Sequence, residues 1–428
     1  MRLFVVATLA TFATILVTAQ TPKERMVVVI SLDGFPAYAL DDPKLPIPTL
    51  RKLIANGGRA RMATVNPTVT WPNHTSMVTG VRSDQHGLLA NGTIINAPAA
   101  KVEPMINKEQ MVHVPTVYDA AHRAGLSTAQ VDWVAISKAP TITWNFNEWA
   151  TPDGPLEQEM VNKGAVSRAD LENFTKANIL HRDQIWTSAA VHLIREHKPN
   201  LLLVHFLTLD TVHHQYGPNS LAATSAMAFL DGCVSRIVDA TRAAGMLERT
   251  TFLIVSDHGF KKYTKQVRPN VALAGLGSTV HIVPEGGTAY VYFDKSQAAE
   301  LAPKVTRALE GVEGIAQIIT PDGFPALGLP AQSDPQMYQL LLTAKDGFSF
   351  SGATGGPVTS EVPQQAGSHG YLASDPEMDA IFIASGYGVS PSAGARWGKV
   401  ANIDVASTIA ELLGVPLPGA KGKAIPLH

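Results

Sequence analysis

The chain contains one cysteine, Cys233, among its 428 residues. A single cysteine excludes an internal disulfide framework and a zinc site built on several thiolates. Positive charge is not in excess either, since 34 Lys and Arg face 36 Asp and Glu and the formal net charge is -2. Without surplus cations to neutralise phosphates, dedicated nucleic-acid binding is not expected. The hydrophobic fraction of 45% excludes global disorder and is enough for a large core.

Long apolar runs are also lacking, with one exception at the N-terminus. Arg2 is followed by an uncharged run from Leu3 to Ala19, which ends in Val17-Thr18-Ala19. A basic start, an apolar stretch and small residues at its end predict a secretory signal peptide over residues 1–19. The alternative is an anchor helix, but the run is just short of the ~20 residues that span a bilayer and is diluted by threonines. We therefore expect an exported, periplasmic or extracellular protein with no stable membrane anchor after cleavage.

Short apolar runs alternate with helical patterns along the rest of the chain. The predicted strands are Met26–Leu32, Leu201–Leu209, Phe252–Ser256 and Ala380–Ser385. The predicted helices are Ile47–Ala55, Val117–Ala124, Ala169–Glu196, Leu221–Ala244 and Ile403–Leu413. Nearly continuous apolar strands are typical of sheets covered on both faces. The alternation therefore predicts an α/β fold with a mostly parallel central sheet and helices on both faces.

The stretch from about residue 261 to residue 367 breaks this alternation. It holds a strand with alternating side chains, Thr288–Phe293, a helix, Gln297–Glu310, and long segments rich in Gly and Pro. We expect an inserted α+β subdomain here, within a domain that covers residues 20–428.

Three of the predicted strands end in an aspartate: Asp33, Asp210 and Asp257, the last followed by His258. In open α/β sheets, ligands bind beyond the carboxyl ends of the strands, so these carboxylates are expected to meet in one crevice. Each alone is explained more simply as a helix cap or turn residue. Three together, with histidines nearby, indicate a metal or ligand site.

Further candidate groups stand at other positions of the sequence. His213 and His214 follow Asp210 by three and four residues, about one helical turn. Either of them could therefore share a metal ion with Asp210. His369 stands between glycines that would allow close backbone approach. Thr70 precedes Trp71, and a helix is predicted to begin at Pro72, because proline favours the first helical position. Thr70 is thus either a helix cap or a nucleophile at a site that favours anions.

At this point six segments, in order, resemble the nucleotide pyrophosphatase/phosphodiesterase family of the alkaline phosphatase superfamily. They are SLDGF (Ser31–Phe35), PTVTWPNHTSMVTG (Pro67–Gly80), HGLLAN (His86–Asn91), DTVHHQYGP (Asp210–Pro218), SDHGF (Ser256–Phe260) and GSHGY (Gly367–Tyr371). The resemblance covers the chain from about residue 26 to residue 415 and implies an alkaline phosphatase-like catalytic domain.

The resemblance also implies a site with two zinc ions. One zinc would be held by Asp33, Asp257 and His258 with Thr70, and the other by Asp210, His214 and His369. It selects His214 over His213, and it makes Thr70 the nucleophile of two in-line displacements through a phosphothreonine. Asn91 would bind a phosphate oxygen together with the backbone N–H of Thr70, and Trp71 would lie beside the organic group of the substrate.

The implied activity is hydrolysis of phosphodiester or pyrophosphate bonds in a small nucleotide or lipid-derived substrate. The alternatives are a phosphate monoesterase, a phosphonate hydrolase and an inactive binding protein. No cation is adjacent to Thr70, and Lys138 has no arginine beside it, which favours singly charged diesters over monoesters. The aromatic residues Trp144, Phe146 and Trp149 either shape a base or lipid pocket or belong to the core.

Overall fold

The computed structural model describes residues 21–97, 99–391 and 396–428. The expected signal peptide, residues 1–19, lies outside the described residues. The strands in chain order are β1 (Met26–Leu32), β2 (Gly57–Ala63), β3 (Thr93–Ile95), β4 (Lys101–Glu103), β5 (Thr128–Val131), β6 (Trp144–Phe146), β7 (Leu201–Phe206), β8 (Thr250–Val255), β9 (Lys261–Val267), β10 (His281–Glu285), β11 (Thr288–Tyr292), β12 (Ile315–Ile319), β13 (Leu340–Ala344), β14 (Gly347–Phe350), β15 (Thr359–Ser368), β16 (Ala380–Gly386) and β17 (Arg396–Ala401).

The α-helices, in the same order, are α1 (Pro48–Ala55), α2 (Thr70–Thr79), α3 (Ser83–His86), α4 (Lys108–Met111), α5 (Val117–Arg123), α6 (Pro155–Asn162), α7 (Arg168–Glu172), α8 (Ile179–His192), α9 (Thr208–Tyr216), α10 (Leu221–Ala243), α11 (Pro269–Ala272), α12 (Ala298–Leu309) and α13 (Asp404–Leu413). A π-helical segment, Leu193–His197, directly follows α8.

The central sheet has eight strands in the order β17-β2-β16-β8-β1-β7-β5-β6. The strand pairs around β1 are parallel, as the alternation predicts. The predicted strand Ala380–Ser385 is present as β16, but β16 runs antiparallel to both of its neighbours. The α/β fold with a mostly parallel sheet is thus confirmed.

Both faces of the sheet are covered, and β1 shows how the sequence achieves this. All seven of its residues are buried. Met26, Val28 and Ile30 belong to the core under α8 and α10, whereas Val27 and Val29 belong to the core under α5 and α13. Because side chains alternate along a strand, an uninterrupted apolar run is what both cores require.

Smaller sheets occupy the chain between β8 and β16. The strands β10-β11-β13-β12 form a four-stranded antiparallel sheet, and β14-β9-β15 form a three-stranded one. The four-stranded sheet packs with α12 around a core of its own that includes Val291, Val305 and Leu342.

Two helix predictions were wrong in their details. The predicted helix Ala169–Glu196 is interrupted, because Ser167 caps α7 and Asn178 separately caps α8. The helix α2 begins at Thr70 rather than at Pro72, with Val69 at the cap position and no side-chain cap. Pro72 is tolerated there because the first backbone N–H groups of a helix have no intrahelical acceptor.

In the described part of the chain, α10 alone is long and apolar enough to span a membrane by length and composition. Its residues Leu230, Val234 and Ile237 are fully buried in the core, where α10 packs against α8 and α9. This environment is that of a core helix.

Candidate active site

The candidate residues reach one place because their strands are neighbours. The strand β1 pairs in parallel with both β7 and β8. Asp33 follows β1, and Asp257 and His258 stand two and three residues after Val255, the last residue of β8. The strand β7 ends at Phe206, three residues earlier than predicted, so Asp210 lies in the first turn of α9 rather than at a strand end. His369 follows β15, and Thr70 is the first residue of α2.

A glycine allows these elements to approach closely. Gly34 has a φ of +67°, and a Cβ atom there would lie 2.9 Å from the ring of Phe260 and 3.3 Å from the Cα atom of Asp210. Any larger side chain would therefore be strained and would separate the loop after β1 from α9.

Asp33, Asp257 and His258 form a fully buried group, which we call the inner cluster. The Nε2 atom of His258 lies 3.1 Å from Oδ2 of Asp257 and 3.5 Å from Oδ1 of Asp33. The hydroxyl oxygen of Thr70 lies 3.5 Å from the same nitrogen. One ligand atom from each member of the cluster falls within 4.8 Å of the others, close enough to share an ion.

Asp210, His214 and His369 form a second group, the outer cluster. The Oδ1 atom of Asp210 lies 3.5 Å from Nε2 of His214 and 3.8 Å from Nε2 of His369. The rings of His258 and His369 stack with centroids 3.8 Å apart and planes inclined by 13°, so the two clusters are adjacent. His213 points elsewhere, with Nδ1 donating to the carbonyl of Gly34 at 3.2 Å.

The polar atoms of the clusters fit divalent cations. Oδ1 of Asp33, Oδ1 of Asp210 and Oδ2 of Asp257 are buried without a hydrogen-bond partner among the described residues. Burial, together with the negative charges of Asp257 and Asp210, raises the pKa of Asp33 well above its usual value. Buried carboxylates are costly unless paired or bound to metal, so shared cations would relieve this repulsion.

The imidazoles fit the same interpretation. Burial lowers the pKa of His258 to about 4 and that of His369 to about 3, so both rings are neutral near pH 7 and keep a lone pair for a metal. Asp210 raises the pKa of His214 against the opposing effect of burial. A donor set of imidazole nitrogens and carboxylate oxygens suits zinc.

Three residues that the sequence analysis did not single out support the clusters, namely His205, Asp132 and His74. Nε2 of His205 lies 2.8 Å from Oδ2 of Asp33, and Nδ1 donates to the carbonyl of Asp132 at 3.1 Å. His74 donates from Nδ1 to the carbonyl of Thr70 at 2.9 Å, and its Nε2 lies 2.8 Å from the hydroxyl of Ser31. Such partners fix the orientation of metal ligands.

The sequence carried only faint signals for these three residues. Asp132 follows β5, so it is one more strand-end aspartate, and His205 is a polar residue inside the apolar strand β7. Against the opposing effect of burial, hydrogen bonds to Asp132 and Asp33 raise the pKa of His205 well above its usual value. Burial lowers the pKa of His74 to about 3.

A cavity of about 270 Å³ opens on this site. Its lining comprises Asp33, Thr70, Trp71, Asn91, Pro104, Asp132, Val134, Glu148, Trp149, His205, Leu207 and Asp210. The side-chain oxygen of Asn91 accepts a hydrogen bond from the backbone N–H of Trp71 at 3.0 Å. No Lys or Arg is among these lining residues, and Lys138 is exposed outside the cavity.

The three aromatic residues left open by the sequence take different positions. Trp149 lines the cavity with 43% of its surface exposed. Phe146 is buried in the main core against Phe174, and Trp144 packs on His197 instead. A larger cavity of about 710 Å³, between α1, α10 and the loop after β16, contains none of the candidate residues.

Comparison of the sequence with known proteins identifies the family to which the chain belongs. The family model "Type I phosphodiesterase / nucleotide pyrophosphatase" matches residues 27–372. The chain is 23% identical to a venom phosphodiesterase of Macrovipera lebetinus over 57% of its own length, and 22% identical to the human bis(5'-adenosyl)-triphosphatase ENPP4 over 91%. It spans 27% of the length of the venom enzyme and 78% of that of the human one.

Solved structures give the same fold. The murine ectonucleotide pyrophosphatase/phosphodiesterase 5 superposes with a TM-score of 0.71 at 18% identity, covering 93% of this chain and 98% of the murine chain. With a family model matched over most of its length, the chain belongs to the type I phosphodiesterase/nucleotide pyrophosphatase family of the alkaline phosphatase superfamily.

Proposed function

We propose that this chain is an exported, zinc-dependent phosphodiesterase and nucleotide pyrophosphatase that acts through a covalent phosphothreonine on Thr70. The observation that carries the proposal is the position of the Thr70 hydroxyl. It lies at the N-terminus of α2, 3.5 Å from Nε2 of His258, and Thr70 lines the same cavity as Asp33 and Asp210. A hydroxyl beside metal-ligating groups and a positive helix terminus is suited to attack an anionic phosphoryl group.

Two zinc ions fit the donor set of the two clusters. Asp33, Asp257 and His258 would hold one ion with Thr70, and the outer cluster would hold the other. Bound zinc would supply positive charge to the attacking and departing oxygens of an in-line displacement. The hydrogen bond from His205 to Asp33 would keep one carboxylate oxygen of Asp33 directed at its ion.

The reaction follows as two displacements at phosphorus. In the first, the bond from Oγ of Thr70 to phosphorus forms while the bond to the leaving oxygen breaks, and the leaving group takes up a proton. In the second, a water oxygen attacks phosphorus, the bond to Oγ breaks, and the Thr70 hydroxyl is restored. Asn91 accepts from Trp71 through its oxygen, which leaves its amide N–H groups to donate to a phosphate oxygen.

The charges around the cavity favour diesters. Its lining contains the carboxylates of Glu148 and Asp132 and no Lys or Arg among the described residues. A monoester dianion carries one more charge than a diester, and beyond the proposed zinc ions it would meet these carboxylates without a Lys or Arg side chain to balance that extra charge. The organic group on the remaining oxygen of a diester would contact the apolar surface of Trp71, Val134 or Trp149.

Relatives support nucleotides as the substrate class. One relative is named a bis(5'-adenosyl)-triphosphatase, and an inactive variant of the murine protein, in which alanine replaces a threonine, was solved with AMP. Several relatives are named ectonucleotide enzymes, which agrees with an exported protein.

The domain organisation completes the proposal. Residues 20–428 form one alkaline phosphatase-like catalytic domain, and the segment of about 261–367 is a subdomain inserted into it. Supporting this division, the four-stranded sheet within that segment has a hydrophobic core separate from those of the central sheet.

A matched pair of substrates tests the activity. We expect kcat/KM for a p-nitrophenyl nucleotide diester to exceed that for p-nitrophenyl phosphate at least tenfold at the same pH, a difference of roughly 1.4 kcal/mol in transition-state binding. The leaving group is the same, so the comparison isolates the charge and the organic substituent. A preference for the monoester would overturn the diesterase proposal and make Lys138→Ala the next variant to assay.

A further inference from the structure

Apart from the inner and outer clusters, the described residues contain a third group of side chains that could hold a metal ion. It consists of Glu159 on α6, His192 at the end of α8 and His197 at the end of the π-helical segment. Nε2 of His192 lies 2.8 Å from Oε1 of Glu159. Nε2 of His197 lies 3.0 Å from the same oxygen and 3.1 Å from Oε2.

The π-helical segment is what brings the two histidines together. In an α-helix, residues five apart point about 140° away from each other. In a π-helix, hydrogen bonds run over five residues, and here the N–H of Lys198 donates to the carbonyl of Leu193 at 2.9 Å. The rings of His192 and His197 consequently have centroids 5.9 Å apart and face one carboxylate.

The geometry of the group is close to that of a zinc site. All three ligand atoms fall within 4.8 Å of one another. Around a tetrahedral zinc with ligands at ~2.1 Å, neighbouring ligand atoms stand roughly 3.4 Å apart. The observed separations from Glu159 of 2.8 to 3.1 Å need to open by only a few tenths of an ångström.

The surroundings orient the ligands and leave an entry path. The His192 side chain is 4% exposed, that of His197 is 19% exposed and that of Glu159 is 33% exposed, so one side of the group faces solvent. The ring of His197 packs on Trp144 with centroids 4.6 Å apart. The nearby ammonium of Lys163 is bound to Glu196 at 2.8 Å.

We propose that Glu159, His192 and His197 form a distal binding site for a divalent transition metal of the zinc class. Three protein ligands with a solvent-facing fourth position match the coordination that zinc accepts. The ion cross-links α6 to the end of α8 and holds the π-helical segment in place. The site shares no residue with the inner or outer cluster, so it binds metal whether or not the proposed activity is right.

The test is the difference in bound zinc between the wild-type protein and one variant. After dialysis against buffered Zn²⁺, elemental analysis of the wild type should give one equivalent more than that of His197→Gln. Glutamine keeps a hydrogen bond to Glu159 but lacks the imidazole. Because only the difference is measured, zinc held by the catalytic clusters cancels.

His181→Gln is the matched control. His181 also pairs with one carboxylate, that of Asp170, at 3.1 Å, but both side chains are more exposed, at 44% and 36%, and among the described residues no second histidine joins them. The control should keep the wild-type zinc content, and added zinc should raise the Tm of the wild type and the control by more than it raises that of His197→Gln, which keeps only the inner and outer clusters. All three proteins should retain kcat/KM for an aryl phosphodiester within twofold.

Two results would overturn the distal site. One is the same zinc content in His197→Gln as in the wild type, which would mean that the three residues only exchange hydrogen bonds. The other is an equal loss in His181→Gln, which would mean weak binding by any surface histidine. Should His197→Gln fail to fold, Glu159→Gln gives the same comparison from the other helix.

Discussion

Replacing Thr70 by valine removes the proposed nucleophile while keeping the shape of the side chain. The loss of a covalent nucleophile costs up to roughly 10⁶-fold in kcat in well-studied hydrolases, with the remaining binding groups still active. We expect kcat for an aryl phosphodiester to fall by at least about 10³-fold, which corresponds to roughly 4 kcal/mol of activation free energy.

The same change should hardly affect folding. The hydroxyl of Thr70 lies 3.5 Å from Nε2 of His258, at the limit of a hydrogen bond, and it does not cap α2. Its removal should therefore lower the free energy of unfolding by less than about 1 kcal/mol. Zinc content should stay near two equivalents in the inner and outer clusters, because carboxylates and imidazoles provide most of the affinity.

Thr75→Val is the control on the same helix. Thr75 is buried, and its hydroxyl has no hydrogen-bond partner among the described residues, so kcat should stay within twofold of the wild type. Thr68→Ala is a harsher control, since the Thr68 hydroxyl donates to the carbonyl of Tyr371, yet its activity loss should be far milder than that of Thr70→Val. Steady-state kinetics with denaturant unfolding decide the matter. A folded Thr70→Val variant that keeps more than a tenth of wild-type kcat would refute the nucleophile assignment.

Three further predictions concern the metal sites and the stability of the fold. His214→Ala should lower kcat by more than about 100-fold and the zinc content by one equivalent, because the loss of a metal ligand costs more than the 10–100-fold loss expected for a residue that only supports a ligand. His213→Ala should keep the wild-type zinc content. Steady-state kinetics and elemental analysis measure the two quantities. Chelation should abolish activity, and added Zn²⁺ should restore it in a turnover assay. Asp119→Asn should lower the free energy of unfolding by about 3–5 kcal/mol at pH 7, since it leaves the buried ammonium of Lys108, 2.7 Å away, unpaired.

The Asp119 effect has a defined pH dependence. Burial opposes ionisation, but hydrogen bonds from Lys108 and Thr141 lower the pKa of Asp119 below its usual value of 3.8. Its contribution is therefore fully present above pH ~4 and is lost as the pH falls through the lower folded value. The difference in unfolding free energy between the wild type and Asp119→Asn should therefore shrink as the pH falls below about 4, and a difference that is constant from pH 7 to pH 3 would contradict this account. For the metal-site prediction, equal zinc loss in His213→Ala and His214→Ala would show that His214 is not the histidine of α9 that binds zinc with Asp210.

Local sequence was sufficient for the central strands and their covered faces. The run Met26–Leu32 is the strand β1 with the bounds predicted, because an uninterrupted apolar run has few alternatives in a sheet buried on both sides. The two candidate ligand sets also came from sequence, through six ordered segments. Each set spans more than 150 residues of chain, so spacing alone could not join its members.

Strand direction, side-chain pairing and the start of one helix were decided only by the tertiary structure, because each depends on residues that are distant in sequence but adjacent in space. It set the antiparallel direction of β16, since an apolar run does not record which way a strand runs. It also paired His205 with Asp33 and Asp132, three residues on separate strands or strand ends whose contact depends on the order β1-β7-β5 in the sheet. The start of α2 at Thr70 depended on the surrounding fold as well, because Pro72 is compatible with several positions in a first turn.

The proposed distal site shows most plainly what sequence and tertiary structure each contribute. The sequence supplies His192 and His197 five residues apart, a spacing that an α-helix directs to different faces. Only the π-helical segment turns both rings to one side, and only the packing of α6 beside it adds Glu159. The sequence by itself determined which side chains were available and which strands had to be buried. The tertiary structure decided which side chains meet, because the contacts between distant segments are set by strand order and helix packing.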